Sequence, residues 1–217
     1  MLNYDFIALF IGANALIYLL IHLPLDLLTL LDSQKKLKED AKEYPPWNTK
    51  VSMVVIFLST IYFWGFFVLW PILHYMGYDG VLFFFIFEAP ILGELLQYLG
   101  LVLIGSGTII AGLGRIGRGR GMIAWGVPKK LTTNWGFRIV RHPGYASYCY
   151  YFIGVLLTLQ NILLLPLVLG SYGYYQTAKY EENILEAEFG DTYREYQKKV
   201  GMLVPFIGRR RSNIENV

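Results

Sequence analysis

Residues 138–148 read RIVRHPGYASY, and the apolar run YYFIGVLLTL follows at residues 150–159. Proline fits the first turn of a helix, where its missing N–H costs nothing, so Pro143 predicts the start of an apolar helix. The apolar stretch at residues 143–178 is too long for one membrane span of about 20 residues. Divided near Gln160, it predicts a helical hairpin with two arms of roughly 17 residues, each about 26 Å long at 1.5 Å per residue.

The hairpin brings two polar segments together at its feet. Arg141 and His142 precede the first arm, and Glu181 and Glu182 follow the second arm. The free N–H groups and the positive dipole end of the first helix face the same place. These groups suit a ligand that carries both an anionic and a cationic group. The alternative is simple charge pairing at a membrane surface, which contributes about 0–1 kcal/mol.

The rest of the chain is typical of a membrane protein. It has 217 residues, of which 55% are hydrophobic and 16% charged, whereas a soluble domain carries about 25% charged residues. Apolar windows at residues 4–31, at residues 51–76 and within residues 81–113 predict three more spans. We expect the third span to start near Leu92, with residues 81–91 forming an interfacial or re-entrant piece. The prediction is an all-α polytopic membrane protein with about five transmembrane helices.

The basic residues predict the orientation of these helices. The 19 Lys and Arg residues fall into three groups, at residues 35–50, 115–141 and 179–211. With five spans, all three groups lie on one face, which the positive-inside rule makes cytosolic. The N-terminus would then lie outside, and the C-terminus and the hairpin's feet in the cytosol. Because the first residues lack a basic segment and lead directly into a full-length span, we expect no cleaved signal peptide.

The segment after the hairpin has the pattern of an amphipathic cytosolic tail. The second arm should continue as a helix past Glu182 and end at Gly190, with Asp191 as the N-cap of the next helix. Apolar and aromatic residues then recur at helical spacing, so the tail should lie against the membrane face or over the hairpin's feet. These residues are Phe189, Tyr193, Tyr196 and Val200.

The last third of the chain carries a series of motifs. In order, they are Gly136-Phe137-Arg138, Arg141-His142-Pro143-Gly144-Tyr145, Asn161, Glu181-Glu182 with Leu185, Phe189-Gly190, Tyr193, Tyr196 and Pro205. In this order and spacing, the motifs resemble those of the integral-membrane methyltransferase superfamily, whose members include isoprenylcysteine carboxyl methyltransferases and phospholipid N-methyltransferases. The resemblance covers residues 131–207 and is closest to the isoprenylcysteine enzymes at the ending YQKKVGMLVPFIG.

The resemblance implies an S-adenosylmethionine cofactor held between the hairpin's feet and the tail. It implies methyl transfer to a membrane-embedded lipid or lipidated acceptor, either an isoprenylcysteine-type carboxylate or a phospholipid amine. Residues 131–217 would form the cofactor-binding core, and residues 1–130 the N-terminal transmembrane helices and basic loops. We expect neither a nucleic acid nor a metal ion as partner. The resemblance assigns cofactor binding to His142, Pro143, Tyr145, Glu181 and Glu182, and catalysis to Glu182 and Arg141.

One position departs from the pattern of the isoprenylcysteine enzymes. These usually carry an arginine five residues before the second glutamate, where this chain has Thr177. The arginine is thought to orient a carboxylate substrate, so its absence weakens the carboxylate interpretation more than methyl transfer in general. Two alternatives stay open: an NADPH enzyme similar to sterol reductases, and a catalytically inactive membrane scaffold.

Three other features of the sequence lie outside these motifs. Residues 112–117, GLGRIG, match the spacing of a dinucleotide-binding fingerprint, but that fingerprint needs a preceding strand. We interpret the segment as a flexible basic loop after a transmembrane helix. Glu94, and His22 with Asp26, are ionisable residues within or near spans, and such residues are functional candidates by default.

Overall fold

A computed structural model describes residues 2–33, 47–78, 86–87, 92–119 and 130–207, and these residues are almost entirely helical. Two single-residue bridges, Ile86 with Asn161 and Val140 with Gly201, are the only β-type pairings among them. The all-α prediction is confirmed. The helices are α1 (Tyr4–Ser33), α2 (Trp47–Tyr75), α3 (Gly93–Arg118), α4 (Pro143–Leu159), α5 (Pro166–Phe189) and α6 (Asp191–Lys199), with short 3-10 turns at Trp135–Arg138 and Ile162–Leu164.

Within the described part of the chain, three helices are long and apolar enough to cross a membrane. Judged by length and composition, the candidate spans are Tyr4–Leu28, Val51–Tyr75 and Gly93–Arg118. The start of α3 at Gly93 agrees with the start predicted near Leu92. The predicted α4 and α5 spans are present as helices, but α4 has only 17 residues. A total of five spans therefore stays a prediction, as does a domain boundary near residue 130.

The two helices α4 and α5 pack against each other and form the predicted hairpin. Gln160 ends α4 in the left-handed region, with φ 48°. Its buried side-chain amide donates to the carbonyl oxygen of Gly93 at 2.5 Å, which fixes the turn to the start of α3. Asn161 caps the next short turn by accepting a hydrogen bond from the Leu163 N–H at 3.0 Å. The sequence thus located the turn correctly.

A buried polar cluster links α1, α3 and α4 inside the apolar bundle. The Thr108 hydroxyl donates to Asn14 Oδ1 at 2.7 Å, and the Tyr151 hydroxyl donates to Thr108 Oγ1 at 3.1 Å. All three side chains are buried. Because a polar group without a partner is costly in an apolar environment, this cluster favours one mutual arrangement of the three helices.

The interpretation of residues 112–117 as a flexible loop is wrong, because they form the last turns of α3. The glycines there allow close packing. A Cβ at Gly114 would lie 2.7 Å from the Cβ of Pro143, and a Cβ at Gly136 would lie 2.5 Å from the Gly114 nitrogen. Gly114 therefore lets the end of α3 contact the start of α4 and the segment that leads to it.

Parts of the predicted organisation lie outside the described residues. These are most of the basic loop at 35–50, most of the 81–91 segment and the arginines at 209–211. The described pair Ile86 and Phe87 packs against the hairpin turn, since the Phe87 N–H donates to the Gln160 carbonyl oxygen at 2.8 Å.

Candidate functional site

The structure brings the two feet of the hairpin into contact around His142. His142 Nδ1 lies 3.3 Å from Glu181 Oε2, and Nε2 lies 3.5 Å from Glu182 Oε1. The histidine is only 5% exposed. Two carboxylates from α5 thus flank one imidazole that directly precedes α4.

The sequence Arg-His-Pro-Gly-Tyr accounts for the position of this imidazole. His142 is the residue before α4, with non-helical backbone angles (φ −123°, ψ 71°), and Pro143 occupies the first turn. One turn further, the Tyr145 hydroxyl donates to Glu181 Oε1 at 2.5 Å. The Tyr145 ring lies nearly parallel to the imidazole, 5.8 Å away between centroids. His142 and Tyr145 therefore hold Glu181 from two sides.

Arg141 connects the second glutamate to the tail. Its Nε donates to Glu182 Oε1 at 2.5 Å, and Nη1 donates to the carbonyl oxygens of Gln197 and Val200. The side-chain amide of Gln197 donates to Glu182 Oε2 at 3.4 Å. Because the guanidinium is buried and bound on several sides, it positions Glu182 against α6. The predicted catalytic role of Arg141 is not tested by this geometry.

The chain after α6 pairs with the segment that contains the site. The Arg141 N–H donates to the Gly201 carbonyl oxygen at 2.8 Å, and the His142 N–H donates to that of Met202 at 3.2 Å. A Cβ at Gly201 would lie 2.1 Å from the Val204 carbonyl oxygen, so only glycine fits this turn. The tail thus lies over the feet of the hairpin, which is one of its two predicted positions.

The start of α6 differs from the prediction by one residue. Gly190, with φ 53°, is the residue between α5 and α6, and Asp191 is the first residue of the helix instead of its N-cap. The Asp191 side chain accepts a hydrogen bond from Arg194 at 2.9 Å. Glycine provides the left-handed backbone that the sharp bend requires, so one residue ends the first helix and precedes the second.

The charges of the cluster support one another. Burial alone would lower the pKa of His142, but the neighbouring carboxylates of Glu181 and Glu182 raise it above its usual value. Burial alone would raise the pKa of each glutamate; contact with His142 lowers both, helped by Tyr145 at Glu181 and by Arg141 at Glu182. The folded protein therefore favours a protonated imidazole between two ionised carboxylates.

Two buried polar atoms next to this cluster make no hydrogen bond to any of the described residues. They are His142 Nε2, whose contact with Glu182 lacks hydrogen-bond geometry, and the hydroxyl oxygen of Tyr193 on α6. Burial raises the pKa of Tyr193 well above its usual value, and the Glu182 charge raises it further. Buried polar atoms without partners are rare in folded proteins and are expected where a ligand or water binds.

This arrangement fits S-adenosylmethionine. The cofactor carries sulfonium and ammonium cations that two carboxylates can stabilise, and polar groups that can bond to the unpartnered imidazole and phenol atoms. Tyr193 belongs to a motif that the sequence had identified, but nothing in the sequence indicated that it would lie beside Glu182. Gln197 was missed altogether, since a glutamine in a polar helix gives no distinctive signal. Among the described residues, no group of three or more His, Cys, Asp or Glu is placed to hold a metal ion.

The other positions singled out in the sequence are Asp26, His22, Glu94 and Thr177. Asp26 accepts a hydrogen bond from Arg115 Nε at 2.7 Å, and the His22 ring stacks on Tyr18 at 3.7 Å. Glu94 is exposed in the first turn of α3. Thr177 lies one turn before Glu181 on the same side of α5, is 5% exposed, and its hydroxyl has no partner among the described residues.

Comparison with known proteins gives matches of one kind. No family model matches the chain. Over 119 residues it is 34% identical to the probable protein-S-isoprenylcysteine O-methyltransferase of Oryza sativa subsp. indica, across 51% of this chain and 62% of that protein. It is 37% identical over 79 residues to the protein-S-isoprenylcysteine O-methyltransferase of Tribolium castaneum, across 36% of this chain and 28% of the relative. The enzyme of that name from Schizosaccharomyces pombe is 36% identical over 80 residues, across 36% of this chain and 34% of the relative.

The chain thus covers less than two thirds of the length of these curated relatives. Their names agree with the superfamily that the motifs had indicated, and with its isoprenylcysteine branch. The resemblance stated from the sequence is confirmed.

Proposed function

We propose that this chain is an integral-membrane methyltransferase that uses S-adenosylmethionine to methylate the carboxylate of an isoprenylated cysteine. The observation that carries the proposal is the contact of His142 with Glu181 and Glu182 across the feet of the hairpin. The relatives named protein-S-isoprenylcysteine O-methyltransferase support the same chemistry.

The side chains of the site have distinct tasks in this proposal. A bound cofactor would supply a methyl group on a sulfonium, and its transfer would break one S–C bond and form one O–C bond at the acceptor carboxylate. Glu181 and Glu182 attract the cationic parts of the cofactor, and Arg141 fixes Glu182. Tyr145 and His142 fix Glu181. Because a carboxylate is nucleophilic without losing a proton, no general base is required, and positioning and desolvation can supply much of the rate.

The acceptor is expected to reach the site from the membrane. Apolar side chains are exposed along α1, α2 and α3, as expected for helices surrounded by lipid. A lipidated acceptor would partition into that environment, whereas the cofactor is polar and reaches the site from water. A phospholipid amine is the other acceptor that the motifs allow. Methylation of an amine would need a proton acceptor, and none of the structural contacts favours an amine as the acceptor.

Cofactor binding by purified protein in detergent is the direct test. We expect S-adenosylmethionine to bind with a Kd in the micromolar range, about −8 kcal/mol. Radiolabelled cofactor should then transfer its methyl group to N-acetyl-S-farnesylcysteine. If the label appears in phospholipid instead, the acceptor is an amine and not a carboxylate. Binding of NADPH without any response to S-adenosylmethionine would show that the sterol-reductase-like alternative is correct.

The variant Glu182→Gln tests cofactor binding independently of folding. It removes the negative charge that Arg141 and His142 contact, so we expect cofactor binding to be lost while the protein still folds. Glu195→Gln is the matched control, because Glu195 is exposed and pairs with Lys198 on the surface of α6. Equal cofactor affinity of both variants would mean that the pocket lies elsewhere.

We further propose that the site faces the cytosol and that the N-terminus lies on the opposite face. The support is the positive-inside rule applied to five spans. Reporter fusions after Tyr78 and at the C-terminus should report opposite faces of the membrane. If both report the same face, the chain does not cross the membrane five times.

A further inference from the structure

We propose that Arg118, together with the first turn of α4, binds the carboxylate of the acceptor. Arg118 is the last residue of α3. Its Nη2 would lie 3.4 Å from a Cβ built on Gly144, so the guanidinium sits beside the first turn of α4. This inference rests on the proposed function and adds a specificity-determining residue to it.

Among the described residues, the guanidinium of Arg118 has a free donor surface, unlike those of Arg115, Arg141 and Arg194. Arg115 binds Asp26, Arg141 binds Glu182, and Arg194 binds Glu186 and Asp191. Arg118 makes no hydrogen bond or ion pair within the described part of the chain, and it is only partly exposed. An arginine with a free planar fork at the edge of a site is suited to binding a carboxylate through two parallel bonds.

The helix end beside Arg118 offers further groups for an anion. The Gly144 N–H makes no backbone hydrogen bond among the described residues, and it belongs to the positive end of a 17-residue helix. His142 precedes this helix end, and its Nε2 is buried without a hydrogen-bond partner. Gly144 has no side chain that would fill the space between its backbone and the guanidinium. The Arg118 guanidinium, the Gly144 N–H and the imidazole of His142 therefore all adjoin the start of α4.

The neighbouring acidic residue does not neutralise this region. The positive charge of Arg118 helps to lower the pKa of Glu181, but within the described residues Arg118 and Glu181 form no ion pair, and Tyr145 and His142 contact the two oxygens of Glu181. Arg118 is therefore available to an external anion. That anion would lie next to Glu181, where the proposal places the cationic part of the cofactor, so donor and acceptor groups would be adjacent.

The second arm of the hairpin does not supply an alternative cation. Thr177 is uncharged and buried. Lys179 lies over the Tyr175 ring, 5.9 Å from its centroid, on an exposed part of α5. A carboxylate that reaches the site must find its positive partner outside α5, and the end of α3 provides one.

The test compares Arg118→Gln, Arg118→Lys and, as a matched control, Arg194→Gln on an exposed part of α6. Two probes are used in the full-length protein in detergent: N-acetyl-S-farnesylcysteine and its carboxamide, which lacks the charge. We expect Arg118→Gln to raise the KM of the acid about tenfold with little change in kcat, because a charge-assisted hydrogen bond is lost. Wild-type protein should bind the acid more tightly than the carboxamide, and Arg118→Gln should abolish that preference. Arg118→Lys should keep part of it, and Arg194→Gln all of it.

Cofactor affinity distinguishes this inference from the proposed function. It should be the same in Arg118→Gln and in wild-type protein, since the cofactor is assigned to other residues. Loss of cofactor affinity in Arg118→Gln, or an unchanged preference for the acid, would overturn the assignment of Arg118. Absence of cofactor binding by wild-type protein would instead contradict the proposed function, and the acid preference would still decide on Arg118 by binding alone.

Discussion

The hydroxyl of Tyr196 donates a hydrogen bond of 2.5 Å to the carbonyl oxygen of Phe137, which links the middle of α6 to the short turn before the site. Both residues are buried. Together with the pairing of Arg141 and His142 with Gly201 and Met202, this bond holds the tail on the hairpin's feet. The position of His142 therefore depends on residues more than fifty positions further along the chain.

Tyr196→Phe removes this bond without removing the ring. A buried carbonyl would lose its partner, so we expect the free energy of unfolding to fall by about 1–2 kcal/mol. Cofactor affinity should fall as well, because the tail would be held less tightly against Arg141. Thermal unfolding and calorimetry in detergent measure the two effects. Tyr78→Phe, at an exposed tyrosine after α2, is the control and should change neither.

Gly114→Ala tests whether the close contact between α3 and α4 positions the site. The added methyl group would lie 2.7 Å from the Cβ of Pro143, so α4 must shift at a cost of about 1–3 kcal/mol. His142 directly precedes Pro143, and cofactor affinity should therefore fall together with stability. Gly65→Ala is the matched control, because nothing lies within 4 Å of a Cβ there. Equal effects of the two substitutions would show that the contact is unimportant.

The charge cluster predicts a specific pH dependence of stability. The pKa of His142 is raised above 6.5, so its contribution is complete below that pH and is lost as the pH rises through the higher folded value. The pKa of Glu181 and that of Glu182 are lowered below 4.5, so their contributions are lost only in more acidic solution. The melting temperature should fall from pH 6.5 upwards in wild-type protein and less steeply in His142→Gln. Parallel pH curves would show that the imidazole does not titrate in this range.

The sequence predicted the features that depend on local patterns. Apolar runs gave the helices, Pro143 gave the start of α4, and the polar pair at Gln160 and Asn161 gave the turn. The contact of His142 with the glutamates followed from the hairpin alone, because antiparallel arms must bring their feet together. Each of these inferences needs only periodicity, a helix start or a turn.

Features that depend on distant contacts could not be predicted in the same way. The glycines of residues 112–117 suggested a loop, yet they remain helical because Gly114 and Gly136 pack closely against their neighbours. Nothing local to Arg141 indicated that its guanidinium would bind the carbonyl oxygens of the tail. The sequence likewise could not predict that the Arg118 guanidinium makes no ion pair within the described residues, because a sequence shows a charge but not its contacts.

The sequence marked Asp26 as a candidate functional residue because it is ionisable and lies in or near a span. The variant Asp26→Asn tests whether its role is structural or functional. The Asp26 carboxylate binds Arg115, whose side chain is 7% exposed and also donates to the Gly119 carbonyl oxygen. Removing the charge takes away a carboxylate that contacts the buried guanidinium, although Asp26 itself is 56% exposed and screened by water. We therefore expect a loss of about 1–2 kcal/mol in unfolding free energy, with unchanged cofactor affinity and acceptor KM. Asp191→Asn, at a surface ion pair with Arg194, is the control and should change the stability much less. A stable Asp26→Asn protein with an altered acceptor KM would instead assign Asp26 to substrate binding.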